Sequence, residues 1–171
     1  VATNFAVLEQ TGQRPLQFAG GYRNGANIMT ATLTHLTQSC PRGANATSDF
    51  QNCFNSLYRT GISDGIRASP AACALPFFGL LYDTPSDLVM DPACGPAAHD
   101  GVPFFSSCGV RQGGSESMQA CNLAIHPVLL QTSAANPTTS VLAYADDAGT
   151  HNGTDARACF RANEDLQLYG D

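Results

Sequence analysis

Val141-Leu142-Ala143-Tyr144-Ala145-Asp146-Asp147-Ala148-Gly149 is the stretch on which the reading of the fold turns. Its opening residues are apolar or aromatic, which predicts a short buried strand over 140–145 that ends in two adjacent acids and a small-residue turn. An apolar strand delivered into two carboxylates needs something to offset their charge. Mg2+ suits that role, because it takes oxygen ligands and is commonly held by one or two carboxylates plus substrate phosphates. A third acid from elsewhere would complete the site, and Asp49 in Ser48-Asp49-Phe50 is the candidate, at a predicted strand end with a helix beginning over 52–59.

Working outward, Ile28, Met29, Leu33 and Leu36 predict a helix over 26–38 that stops before Cys40-Pro41. Residues 70–81 are apolar almost throughout and read as a buried helix, with Pro76 a kink. Residues 87–90 and 102–108 carry strand-like residues around an irregular loop, a long hairpin. The turn 109–114 leads into a helix over 115–131 that Pro127 should bend, and a last helix over 155–169 takes Thr154 as its N-cap. There is no internal repeat, so one domain over 1–171 is expected.

Three strings in this order resemble the signature motifs of reverse transcriptases of the non-LTR retrotransposon type. Asp49-Phe50-Gln51-Asn52-Cys53-Phe54-Asn55-Ser56 resembles the first, with Cys53 in place of the usual alanine. Gly109-Val110-Arg111-Gln112-Gly113 resembles the second, continued by Asn122-Leu123-Ala124-Ile125-His126-Pro127-Val128-Leu129, and Tyr144-Ala145-Asp146-Asp147 resembles the third. Weaker echoes lie in 17–35 and 82–88. The resemblance implies a polymerase palm with part of the fingers and no thumb: an α+β fold with a small antiparallel sheet and helices packed on one face, a piece of a longer polypeptide.

It also implies RNA-directed DNA polymerase activity. Two Mg2+ ions on Asp49, Asp146 and Asp147 would serve nucleotidyl transfer to a primer 3′ hydroxyl. RNA template, DNA primer and deoxynucleotides would be the partners, in the nucleus or cytoplasm. By the same resemblance Phe54 would be the aromatic gate beneath the sugar, and Phe50, Gln112, Gly113 and Tyr144 would line the substrate site. The chain departs from the family after Gln112-Gly113, where Gly114-Ser115-Glu116 replaces an acidic or cysteine residue and a Pro-Leu step; Glu116 would stand beside the nucleotide.

Composition points a second way. All eight cationic side chains are arginine and the net charge is -6, unlike a self-sufficient duplex binder. Arg59 and Arg111 read as surface or salt-bridged residues before phosphate ligands. Seven scattered cysteines show no zinc-type pair, and the odd number leaves one thiol over. Candidate glycosylation triplets begin at Asn45 and Asn152. These features frame the alternative: an inactive reverse-transcriptase-derived structural or assembly subunit, self-associating, extracellular, glycosylated and disulfide-linked. No apolar run reaches the roughly 18 residues of a membrane span. No Gly-x-Ser-x-Gly, P-loop or His-Glu-x-x-His string supports a hydrolase, an NTPase or a zinc protease.

Overall fold

A computed structural model describes residues 16–19, 23–88 and 104–170, the side chains of 87, 88, 104 and 168–170 excepted. In chain order these form α1 (Gly25–Ser39), β1 (Ala44–Asp49), α2 (Cys53–Ser56), α3 (Arg59–Arg67), a 3-10 turn at Ala72–Ala74 and α4 (Leu75–Tyr82). There follow β2 (Ser86–Leu88), β3 (Phe104–Ser106), α5 (Ser117–Ala135), β4 (Ser140–Tyr144), β5 (Asp147–Asn152) and α6 (Ala156–Gly170). The fold is α+β, built on a three-stranded antiparallel sheet in the order β1-β5-β4, with β2 and β3 forming a separate antiparallel ladder. The rest of the long hairpin expected around that ladder lies outside the described residues.

The central strand β5 is the element that sequence patterning misses. Asp147-Ala148-Gly149-Thr150-His151-Asn152 has one β-branched residue and a glycine, the composition of a turn, yet all of it beyond Asp147 is buried. Pairing on both sides supplies the stability that propensity lacks. Gly149 is not sterically required there: a Cβ would meet Leu33 of α1 at 4.0 Å and the Ala46 carbonyl at 3.8 Å, both ordinary contacts.

Strand alternation assigns the helices to two faces, where one covered face is expected. Val141 and Ala143 of β4 and Ala148 of β5 form a core with Leu129 of α5 and Leu166 of α6. Leu142, the intervening residue, points the other way and packs with Met29, Leu33 and Leu36 of α1 and with Phe18. A sheet apolar on both sides needs cover on both, and α1 provides the second. Leu129 and Leu166 are wholly buried; cutting either to alanine would cost about 2–5 kcal/mol.

Helix α5 joins this sheet core to a second cluster in which Ile62 and Ile66 of α3 meet Ala120 and Leu123. Pro127 sits inside α5 and has no N–H to offer the Leu123 carbonyl. Gly65 of α3 packs at that carbonyl: a Cβ on Gly65 would lie 2.4 Å from it. The helix of 70–81 begins later than expected, with Pro76 in its first turn and no kink. Nor is it a buried helix: Phe78 and Tyr82 are inside, whereas Phe77 and Leu80 are 54% and 82% exposed. No described helix is long and apolar enough to cross a membrane.

Candidate functional site

The acids gather through strand register. β1 and β5 pair so that Asp49 stands opposite Asp147, and the Phe50 N–H donates to the Asp146 carbonyl at 3.0 Å. That bond makes Phe50–Asp146 a hydrogen-bonded pair, so Asp49–Asp147 is the adjoining non-bonded pair, where Cα atoms approach to about 4.5 Å and side chains come closest. Asp146 is half-buried in the two-residue turn between β4 and β5, while Asp49 and Asp147 are exposed. Tyr144 lies opposite Asp147 on β4 and packs partly into the α1 side of the core.

The turn is held by a residue for which the sequence gives no cue. Ala145 takes a left-handed backbone with φ 56°, a conformation a two-residue hairpin turn demands and alanine adopts at a cost of about 1–2 kcal/mol. Gln17, fully buried, grips it. Its Oε1 accepts from the Ala145 N–H at 3.0 Å and its Nε2 donates to the Ala145 carbonyl at 3.2 Å. The same Oε1 accepts from the Ala19 N–H, and residues 16–18 run alongside β4 through Phe18–Ala143 and Ala143–Leu16 backbone bonds.

Among the described residues, none of the three carboxylates has an ion-pair or hydrogen-bond partner on its side chain; the ion pairs are Arg67–Asp64 and Arg161–Asp155. Like charges directly opposite across a ladder repel. Two exposed carboxylates opposed on adjacent strands, with no cationic side chain beside them among the described residues, suit a hard divalent cation. Among the same residues, however, no group of three or more His, Cys, Asp or Glu side chains is drawn together tightly enough to hold a metal. The donor set that fits is therefore the two-carboxylate kind that substrate phosphates complete.

The second motif docks on α2. Gly109 donates to the Leu57 carbonyl at 2.7 Å and Val110 to that of Phe54 at 2.6 Å. Gly109 has φ 67°, and a Cβ there would fall 2.3 Å from the Phe54 carbonyl oxygen and 2.5 Å from the Asn55 Cα. Only glycine fits. Arg59 is committed to this joint and not to phosphate: its guanidinium donates to the carbonyls of Gly109, Tyr82 and Ser106 and lies over the Tyr82 ring.

Glu116 is committed as well, accepting a 2.6 Å bond from the Tyr82 hydroxyl, which itself accepts from the Arg111 N–H. The Tyr82 bond holds its carboxyl below the usual range against some burial, with Ser115 and the Arg111 charge adding to the effect. Gln112 and Gly113 are exposed, Gly113 at φ 86° with open space around it. Phe54 is partly buried between the α3 cluster and the Cys53–Cys121–Ile125 cluster, and Phe50 reaches the sheet core.

A cleft of about 780 Å³ runs between the end of β1, α2, α5 and α6, with Asp49, Phe50 and Cys53 in its wall. Asp146 and Asp147 do not line it, so the acid edge stands at its rim.

The Asn152 triplet is structural. The side chain is 2% exposed; its Nδ2 donates to the Thr138 carbonyl at 3.0 Å and Thr139 Oγ1 at 3.1 Å, and its Oδ1 accepts from the N–H groups of Thr154 and Asp155. A glycan on that nitrogen would have to break these bonds and leave the folded position of the side chain. Asn45 is exposed, its amide bonded to Thr37 and His151. Asp155, and not Thr154, caps α6, accepting from the Arg157 N–H at 2.9 Å.

Compared with known proteins, the chain matches no protein-family model and no curated protein.

Proposed function

We propose that this chain is the palm of an RNA-directed DNA polymerase of reverse-transcriptase type, its acids transferring deoxynucleotides to a primer 3′ hydroxyl on an RNA template. The observation that supports this most is the register that opposes Asp49 and Asp147 beside the Asp146 turn, three acids from two distant motifs on one sheet edge. Asp49 and Asp147, with Asp146 beside them, would hold Mg2+ once substrate phosphates complete the donor set, and the metal would supply charge neutralisation at the phosphates and a more acidic primer hydroxyl. The chain's own part is placement. Gln17 fixes the turn and the Gly109 contact seats the second motif on α2; by the resemblance to the family, Phe54, Gln112 and Tyr144 would border the nucleotide.

Arg59 is spent on carbonyls, and the chain is acidic, which favours the assembly-subunit reading as the rival. Primer extension separates the two. The chain, alone and within its parent polypeptide, is given a primed RNA template, deoxynucleotides and Mg2+ at low salt, where phosphate contacts are strongest. Mg2+-dependent extension that falls to background in Asp146→Asn is expected. Extension surviving that substitution would sink the mechanism, and none from the parent polypeptide would leave the assembly reading standing.

A further inference from the structure

We propose that Cys53 and Cys121 are a thiol pair set to close into a disulfide beneath the acid edge, with Cys53 the member that a small-molecule disulfide reaches first. This does not depend on the nucleotidyl-transfer reading. The two Sγ atoms lie 2.8 Å apart, inside ordinary sulfur contact, across 68 residues of chain. A disulfide spans about 2.05 Å, so closure asks for less than an ångström of movement.

The two thiols are not equivalent. Cys53 lies in the wall of the cleft that also holds Asp49, Ser56, Ile125 and Leu166, while Cys121 on α5 is wholly buried and absent from that wall. Their hydrogen bond holds the Cys53 thiol below its ordinary value, against burial and the charges of Asp146 and Asp49, and pushes Cys121 up. Cys53, though only 3% exposed, is thus the thiol with a face on the cleft, and Cys121 behind it is placed to resolve.

With oxidised glutathione as oxidant the step balances. Cys53 thiolate attacks one glutathione sulfur and releases a glutathione thiolate; Cys121, giving up its proton, attacks the Cys53 sulfur and releases the second. The chain loses two hydrogens, and one oxidised glutathione becomes two reduced ones. The bond ties the first residue of α2, four residues after Asp49, to the second turn of α5.

The test takes the reduced full chain in native buffer with oxidised glutathione and maps it by non-reducing digestion and mass spectrometry. Expected is a peptide joining residues 53 and 121, lighter by about 2 Da than its two thiol peptides, with glutathione adducts on exposed Cys73 and Cys108. In Cys121→Ala, glutathione should remain trapped on Cys53; in Cys53→Ala, Cys121 should stay a free thiol. Should these variants not fold, the wild-type chain in urea serves, where the preference for the 53–121 link should vanish. A link that forms as readily in urea, or glutathione on Cys121 of folded Cys53→Ala at the rate seen on Cys53, would overturn the proposal.

Discussion

Replacing Gln17 by leucine tests how much of the acid turn's geometry is held from outside the hairpin. Leucine keeps comparable bulk in a fully buried position but removes the acceptor and the donor that satisfy the backbone of Ala145, itself 3% exposed. A buried N–H or C=O left without a partner costs about 1–3 kcal/mol. Two such groups, offset in part by the more apolar side chain, give an expected loss of about 3 kcal/mol. In urea, with a dependence near 2 kcal/mol per molar, the midpoint should fall by about 1.5 M. Gln17→Glu adds a pH signature. The new carboxylate could still accept from the Ala145 N–H but would face its carbonyl with a buried negative charge, so its folded pKa would rise above the unfolded value of about 4.3. The penalty should be full at pH 7 and disappear below about pH 4, where both states carry the proton. A midpoint shift under about 0.3 M for Gln17→Leu, or a pH-independent loss for Gln17→Glu, would refute the clamp.

Gly109→Ala should cost about 2–5 kcal/mol, combining about 1–2 for a left-handed alanine with about 1–3 for overpacking against the Phe54–Asn55 backbone, read as a drop in urea midpoint. His126 is held neutral by burial, which lowers its pKa, and its Nδ1 has no partner. The unfolded chain therefore takes up that proton first, and stability should fall as pH drops from about 6.5 towards the folded pKa. His126→Leu should flatten thermal stability over that window; an unchanged slope would remove His126 as its source.

The sequence was informative where one element carries its own pattern. The run 141–144, the amphipathic α1 and the long α5 with its internal proline all stand near their predicted bounds, because each has an apolar face or run that needs no distant partner to be recognised. Asp49 and Asp146–Asp147 could be read as sheet-edge acids, since both strings end a strand. What stayed illegible depends on pairing. β5 looks like a turn because its stability comes from two neighbouring strands, and α4 looks buried because composition alone does not say which apolar faces find cover. Gln17, 128 residues from Ala145, and Cys53, 68 from Cys121, join the site through contacts with no local signature. Glu116 reads as an intruder into a nucleotide site until Tyr82 is seen to hold it.

Asn152 works as the stop on a ruler. A strand slipped by one residue turns every side chain to the opposite face, so the value of opposing Asp49 and Asp147 rests on β5 being unable to slide. At the turn end Gln17 grips the carbonyl and N–H of Ala145, and the Phe50 N–H holds the Asp146 carbonyl. Five residues from Asp147, Asn152 is fastened to the 138–139 loop on one side and to the first N–H groups leading into α6 on the other. The spacing of the charged edge is thus measured from the seat of the C-terminal helix, and an insertion or deletion anywhere in 148–151 would move the acids as surely as substituting them.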